Sequence, residues 1–170
     1  YDVTKDHFNL LNALYLLKNQ KTDFFCVLGG KGINYKNNNL VAIIKKLGLK
    51  KCVKLLGIQK NISFFMSELN LHIISSNSES FPNVVAEAMA CETPCIVTNV
   101  GDAAHIVGKT GWVVPPKNPL KLAKKMVKAL SEIGTKKWKK RCIQARNRIK
   151  ENFDIEKMVK SYNKAWNQTY

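Results

Sequence analysis

Short apolar runs along the chain alternate with longer stretches in which apolar residues recur every three or four positions. Short runs are typical of buried strands, and the longer period is that of a helix with one buried face. Strands are predicted at 23–28, 52–56, 71–75, 95–98 and 111–114. Helices are predicted at 6–18, 40–47, 62–68, 82–90, 120–133, 135–151 and 155–168, with a short segment at 103–107. The side chains predicted to face the core are Leu10, Leu11, Leu14 and Leu17 of the first helix and Leu120, Ala123, Val127 and Leu130 of the helix at 120–133. The predicted helix caps are Asn61, Asn118 and Asp154.

This alternation predicts a Rossmann-like α/β domain of three layers, in which helices cover both faces of a mostly parallel sheet. A chain of 170 residues is long enough to form one such domain with its own core. Folds of this kind bind ligands at the carboxyl ends of their strands. Polar or glycine-containing turns follow four of the predicted strands, at 29–30, 57, 75–79 and 99–101. We therefore expect these turns to share one edge and to form one site.

The segment 75–90 connects the third strand to a helix through a loop rich in serine. Pro82 suits the first position of that helix because it has no N–H group to leave unpaired, and Ser80 is a candidate cap. The helical period places four side chains toward the core, namely Val84, Val85, Ala88 and Met89. The helix N-terminus is therefore predicted to lie at the ligand-binding edge.

Two carboxylates, Glu79 in the loop and Glu87 on the helix, stand near that N-terminus. A helix N-terminus attracts anions through its unpaired N–H groups and the helix dipole. Carboxylates repel phosphate but accept paired hydrogen bonds from a vicinal diol. A ligand that carries both phosphates and diols is a sugar nucleotide. The same spacing also fits an ordinary surface helix that follows a serine-rich loop, so spacing alone leaves both interpretations open.

The sequence around the two glutamates resembles a known family. Glu79 and Glu87, with Ser80 to Val84 in the interval, are similar to the E-x7-E signature of the family-four retaining glycosyltransferases (glycosyl transferases group 1), which have the GT-B fold. Further segments resemble the family in the same order, at 2–7, 87–101, 106–107, 111–116 and 120–123. The resemblance implies that residues 1–170 are the donor-binding, C-terminal half of a two-domain enzyme, with Tyr1 inside a longer protein.

The resemblance also implies that the terminal segment 152–170 forms a helix that packs back on the missing N-terminal domain. Its apolar stripe consists of Met158, Tyr162 and Trp166. We expect Tyr162 and Trp166 to be partly exposed when that partner domain is missing.

Individual roles follow from the resemblance. Glu87 would accept hydrogen bonds from the ribose diol, and Glu79 would face the donor sugar. Lys5 would stabilise the charge that develops on the leaving diphosphate, although a solvated surface lysine also fits its position. The family's partner arginine for this lysine would fall before Tyr1. The nucleotide-sugar site would further include Ser80, Phe81, Pro82, Asn83 and Val84, with backbone N–H groups holding sugar hydroxyls and phosphate.

Two glycine-containing turns are candidates for nucleotide contacts. Gly29 and Gly30 follow the first strand, where glycine lets the backbone approach a ligand closely; a plain tight turn is the alternative. Gly57 closes the second strand, and in the family the segment after this glycine borders the nucleobase. Ile58 and Gln59 are therefore candidates for base contact, and an ordinary strand-to-helix loop is the alternative.

Charge and composition narrow the choice of partners. The formal net charge is +16, and nearly all of the positive charge comes from lysine. Specific phosphate recognition favours arginine, and no array of stacking aromatics accompanies the lysines, so we expect no nucleic acid partner. The lysines of 120–151 are hypothesised to face an anionic membrane surface, or alternatively to form solvated helix faces.

The cysteines are scattered and do not have the spacing of a zinc site, at Cys26, Cys52, Cys91, Cys95 and Cys142. We expect reduced thiols, no bound metal, and no cofactor other than the donor. No apolar stretch is long enough to span a membrane, and no signal peptide opens the chain. The expected location is cytoplasmic, with peripheral attachment to the inner membrane face as a further hypothesis.

The functional hypothesis is retaining transfer of a hexose-type sugar to a growing surface polysaccharide, oligosaccharide or lipid-linked acceptor. A UDP-sugar is the first choice of donor, and a GDP-sugar is the second. Two alternatives stay open: a sugar-nucleotide epimerase of GT-B fold, and a nucleotide-sugar-binding module without catalysis. The 170 residues alone are expected to bind nucleotide weakly and not to turn over.

Overall fold

The computed structural model describes residues 1–167, in which parallel strands alternate with helices. The strands are β1 Cys26–Gly29, β2 Val53–Gly57, β3 His72–Ile74, β4 Cys95–Thr98 and β5 Trp112–Val114. After a short 3-10 turn at Val3–Lys5, the helices are α1 His7–Asn19, α2 Asn38–Lys46, α3 Ile62–Ser67, α4 Asn83–Ala90, α5 Ala103–Val107, α6 Pro119–Glu132, α7 Lys136–Asn152 and α8 Ile155–Asn167. The predicted α/β class is confirmed.

The strands form two hydrogen-bonded groups, β1–β2 and β3–β4–β5, and every pairing in them is parallel. The first strand was predicted to begin at Asp23, but β1 begins at Cys26. Its register explains the difference, because Cys26 pairs with Val53, the first residue of β2, and the pairing of the two strands begins there. In both groups the carboxyl ends of the strands lead into the turns that carry the candidate chemistry.

Helices α1 and α6 pack against each other and share one apolar core with residues of the strands. The four predicted inward leucines of α1 are buried, namely Leu10, Leu11, Leu14 and Leu17. On α6 the buried face is Leu122, Ala123, Met126 and Ala129. Leu120 was predicted to be inward and is exposed, because two residues correspond to about 200° around a helix and place it opposite Leu122.

Polar side chains cap most of the longer helices at their N-termini. Asp6, Asn37, Asn61, Asn118 and Thr135 each accept a hydrogen bond from a backbone N–H of the first turn. The caps predicted at Asn61 and Asn118 are confirmed. Each such bond stabilises the fold by about 1 kcal/mol and fixes where the preceding turn ends.

A buried ion pair attaches α7 to the rest of the domain. Glu132 accepts hydrogen bonds from Nε and Nη2 of Arg141 at 3.1 and 3.0 Å. The guanidinium also lies 4.1 Å from the ring centre of Trp112 on β5. Burial raises the pKa of Glu132, but the hydrogen bonds from Lys137 and Arg141 outweigh it and hold the pKa below its ordinary value. This fixed helix packs in turn against α4.

Helix α8 presents an apolar face that nothing in residues 1–167 covers. Tyr162 and Trp166 are exposed as predicted, with 70% of Trp166 accessible, and Met158 is exposed beside them. Asp154 accepts the N–H of Glu156 at 2.8 Å and so caps the helix, also as predicted. The predicted last helical residue, Gln168, lies outside the described residues. None of the helices described here combines the length and apolarity needed to cross a membrane.

Candidate functional site

Lys5 and Glu79, which are 74 residues apart in the chain, form an ion pair at the carboxyl edge of the strands. The Lys5 ammonium lies 2.7 Å from Oε1 of Glu79. The lysine side chain is half exposed, whereas only 9% of the glutamate side chain is accessible. The structure therefore brings together a cation and a carboxylate that the sequence analysis placed in one site.

A strap of residues 1–6 carries the lysine and is fixed to the loop after β3. The hydroxyl of Ser75 lies within hydrogen-bonding distance of two strap carbonyls, at 2.9 Å from that of Lys5 and 3.1 Å from that of Asp6. The Asn77 N–H donates to the Thr4 carbonyl at 2.8 Å. These bonds set the lysine backbone, and the side chain then reaches Glu79.

The same strap extends to the loop after β1. The backbone nitrogen of Tyr1 donates to the Lys31 carbonyl. A Cβ added at Gly32 would lie 3.0 Å from the Tyr1 nitrogen, so the strap and this loop are in close contact. The strap therefore contacts loops at the carboxyl ends of both strand groups, the loop after β1 and the loop after β3.

The turn after β4 packs against the loop that carries Glu79 and is hydrogen-bonded to it. The Asp102 N–H donates to the Ser80 carbonyl at 2.8 Å. Gly101 has a positive φ of 48°, and a Cβ added there would lie 2.3 Å from the carbonyl oxygens of both Glu79 and Ser80. Only a residue without a side chain permits this approach.

Helix α4 begins one residue later than predicted. Pro82 is the N-cap residue and Asn83 is the first helical residue, because ψ of Pro82 is 89° and lies outside the helical range. The predicted Ser80 cap is wrong: no side chain caps α4, and the Ser80 carbonyl accepts from Asp102. The first N–H groups of α4 therefore have no side-chain acceptor, as an anion site requires.

The outward face of α4 differs from the prediction at one position. Val85, Ala88 and Met89 are buried as predicted, but Val84 is 37% exposed. Val84 precedes the buried Val85 by about 100° around the helix, which turns it away from the core and toward the open side. It thereby joins the exposed face at the start of the helix.

Glu87 and Asn83 lie exposed on α4. No hydrogen bond or ion pair from another part of residues 1–167 engages the Glu87 carboxylate. A carboxylate free on a helix near an anion-binding terminus can accept both hydroxyls of a diol. The same described part contains no group of three or more His, Cys, Asp and Glu side chains able to hold a metal ion.

The predicted nucleobase residues are also brought together. The Gly30 N–H donates to the Gly57 carbonyl at 2.7 Å, so the two turns are in direct contact. A Cβ at Gly29 would lie 3.4 Å from Gln59, whose amide nitrogen donates to the Leu56 carbonyl at 3.0 Å. Ile58 is exposed beside them. These turns form a glycine-lined shelf with one exposed apolar side chain.

The opposite edge of the strands does not present comparable chemistry. A cavity of about 330 Å³ lies there, lined by residues that precede β1 and β2, including Lys21 and Lys51. Amino ends of parallel strands are not where such folds bind substrates. Burial raises the pKa of Cys26, at the start of β1, to about 12, and it also raises that of Cys95, at the start of β4, so neither thiol is a nucleophile at neutral pH.

Three residues to which the sequence analysis gave no individual role are part of the framework of the site. Ser76 donates its hydroxyl to Oε1 of Glu79 at 2.7 Å. Thr98, the last residue of β4, donates to the Ser76 carbonyl at 2.6 Å. Gly101 lies beneath the Glu79 loop. Their positions at carboxyl ends of strands were a usable signal, but which side chain meets which depends on the tertiary structure.

Comparison with known proteins returns glycosyltransferases. A family model described as "Glycosyl transferases group 1" matches residues 2–152. N-acetyl-alpha-D-glucosaminyl L-malate synthase of Bacillus anthracis is 30% identical over 125 residues, which cover 72% of this chain and 32% of the relative.

Solved structures give the same result. A glycosyltransferase from Rickettsia africae ESF-5 matches with a TM-score of 0.89 and 27% identity, over 97% of this chain and 44% of that one. HepE of Anabaena, solved in complex with UDP, matches with a TM-score of 0.85 and 23% identity, over 98% of this chain and 46% of that one. The second likeness shows the fold alone. The chain spans less than half the length of these three relatives.

Proposed function

The chain belongs to the group 1 family of glycosyl transferases, and we propose that it is the donor-binding half of an enzyme that transfers a hexose-type sugar from a nucleoside-diphosphate sugar with retention of configuration. The observation that carries the proposal is the Lys5–Glu79 pair, 2.7 Å apart, beside the uncapped start of α4 and the unpaired Glu87. Cation, helix N-terminus and free carboxylate together suit a ligand that has both phosphates and diols.

Each group has a distinct task in this proposal. Glu87 accepts hydrogen bonds from the ribose diol, and the first N–H groups of α4 bind phosphate or sugar hydroxyls. Lys5 stabilises the negative charge that grows on the leaving diphosphate. Glu79 faces the donor sugar and orients it for transfer to the acceptor. The base is bordered by the glycine-lined shelf, which consists of Gly29, Gly30, Gly57, Ile58 and Gln59.

The acceptor is assigned to a second domain in this proposal. The exposed apolar stripe of α8 supports an intramolecular partner, because exposed faces of this kind mark interaction sites. The chain also spans less than half of the relatives reported above. We assign the acceptor to the class of polysaccharide, oligosaccharide or lipid-linked saccharide, and the donor to the UDP-sugars first and the GDP-sugars second. The UDP complex of HepE is consistent with the first choice.

A nucleotide titration tests the site directly. We expect calorimetry on the full-length protein to show binding of one among UDP, GDP and ADP, with Glu87→Ala weakening it at least tenfold, or about 1.4 kcal/mol. The loss of two hydroxyl contacts to a charged acceptor accounts for that magnitude. Glu151→Ala removes the same charge from the exposed end of α7 and should leave the affinity within twofold. Equal affinities for wild type and Glu87→Ala would contradict the ribose assignment, and no binding of any nucleotide would contradict the proposed function.

A further inference from the structure

We propose that Ser75 and Ser76 are positioning residues with separate tasks: Ser75 sets the position of Lys5, and Ser76 sets that of Glu79. This inference rests on the proposed function, since it explains how the cation and the carboxylate of that site are held. The two serines follow β3 directly, and their hydroxyls reach different partners, the strap carbonyls for Ser75 and the Glu79 carboxylate for Ser76. One serine therefore faces the strap of residues 1–6, and its neighbour faces the loop that carries Glu79.

Ser75 acts on the backbone of the strap. Its hydroxyl lies 2.9 Å from the Lys5 carbonyl and 3.1 Å from the Asp6 carbonyl, and it has one proton to share between them. The Ser75 carbonyl in turn accepts from Nδ2 of Asn9 at 3.4 Å. Ser75 itself is buried, and its hydroxyl engages only the strap. Its effect on the donor site must pass through Lys5.

Ser76 acts on the carboxylate. It is 1% exposed, and its hydroxyl donates to Oε1 of Glu79 at 2.7 Å. Its carbonyl accepts the hydroxyl of fully buried Thr98 at 2.6 Å, which ties Ser76 to the last residue of β4. Two hydrogen bonds, one buried and one partly buried, therefore connect the sheet to Glu79.

The two carboxylate oxygens of Glu79 have different partners, which gives the Ser76 hydrogen bond its importance. Oε1 of Glu79 receives both Ser76 and Lys5, whereas Oε2 has no partner among residues 1–167. Oε2 is thus the oxygen available to a sugar hydroxyl. A diphosphate beside Lys5 competes with Glu79 for the ammonium, which is half exposed and able to turn. When the lysine turns toward phosphate, the Ser76 bond is what keeps the carboxylate in place.

Kinetics of the full-length protein separate positioning from a merely structural role. Ser76→Ala should lower kcat for sugar transfer about tenfold or more, with KM for the donor and Kd for the free nucleotide unchanged within twofold. In a Glu79→Ala background Ser76→Ala should not lower kcat further, because the carboxylate that Ser76 positions is gone. Ser75→Ala should likewise be silent in a Lys5→Ala background but should lower kcat further in a Glu79→Ala background.

Thr93→Val is the matched control. Thr93 is a buried hydroxyl that donates to the Met66 carbonyl at 2.7 Å, away from the site. Its loss should lower the Tm as Ser76→Ala does, and it should leave kcat within twofold of wild type. An unchanged kcat for folded Ser76→Ala, or an equal further loss in the Glu79→Ala background, would overturn the inference.

Crystal structures of Lys5→Ala and of the Lys5→Ala/Ser76→Ala double variant provide a readout that does not depend on transfer, because Lys5 no longer holds Oε1 of Glu79 in either. The Glu79 carboxylate should lie an ångström or more away in the double variant from its position in Lys5→Ala, on the order of a rotamer change. A carboxylate that stays in place would overturn the inference even when sugar transfer is normal. If wild type transfers no sugar, the proposed function fails, and the position of Glu79 in these two structures still decides the role of Ser76.

Discussion

Gly101→Ala is expected to lower the free energy of unfolding by about 3 kcal/mol or more and the sugar-transfer rate at least a hundredfold. The added Cβ would lie 2.3 Å from two backbone carbonyl oxygens, those of Glu79 and Ser80, and backbone cannot swing aside as a side chain does. Relief requires the Glu79 loop to move by about an ångström, and a misplacement of that size can reduce catalysis about a hundredfold. Thermal unfolding and steady-state kinetics measure the two effects.

Gly134→Ala isolates the part of this effect that comes from backbone conformation. Gly134 also has a positive φ, of 82°, but a Cβ there would have no heavy atom within 4 Å. Its replacement should lower the free energy of unfolding only by the strain of a left-handed backbone conformation, about 1–2 kcal/mol, and should leave the transfer rate unchanged. If Gly101→Ala costs no more stability or activity than Gly134→Ala, the packing of the Glu79 loop on Gly101 does not hold it in place.

Glu79→Gln is expected to lower kcat by about two to three orders of magnitude, the range for losing one preorganised electrostatic contact to the reacting centre. The amide keeps the size of the side chain but loses the charge that pairs with Lys5 at 2.7 Å. Donor affinity should change much less than kcat, because the ribose and diphosphate contacts remain. Separate kcat and KM values, from initial rates over a range of donor concentrations, check this expectation.

Glu92→Gln is the control for charge removal at an ion pair. Glu92 pairs with Arg146 at 3.1 Å on the surface, where both side chains are about half exposed. Exposed ion pairs contribute at most about 1 kcal/mol to the free energy of unfolding. The Glu92→Gln protein should therefore stay folded, and its rate of sugar transfer should stay within twofold of wild type. A Glu79→Gln enzyme that retains a third or more of the wild-type kcat would exclude Glu79 from a direct role at the sugar.

The features that sequence predicted well are those that depend on local pattern. The leucines of α1 repeat at helical spacing, and the caps at Asn61 and Asn118 precede apolar stretches, so one segment of chain contains the whole signal. The meeting of Lys5 with Glu79 was reached differently. Glu79 follows β3, and the carboxyl ends of parallel strands are where such folds bind ligands, whereas Lys5 precedes α1 and was placed in the site by the resemblance to the glycosyltransferase family.

The features that sequence missed depend on contacts between distant segments. Nothing local distinguishes Ser76 from Ser80, yet one donates to Glu79 and the other presents its carbonyl to the turn after β4. Val84 and Val85 are equally apolar, and only the packing of α4 decides which is buried. Gly101 is required because another loop lies 2.3 Å from where its Cβ would be. Such distances are properties of the assembled fold.

Product analysis of the full-length protein tests the central claim most directly. The protein would be incubated with UDP-sugars and GDP-sugars, each with a saccharide or lipid-linked acceptor, and the mixture followed by NMR. The account predicts release of nucleoside diphosphate in step with a new glycoside of the same anomeric configuration as the donor, and loss of both in Glu79→Gln. An altered sugar nucleotide without glycoside would instead identify an epimerase. Tight donor binding without any product would identify a binding module, and either result would contradict the account.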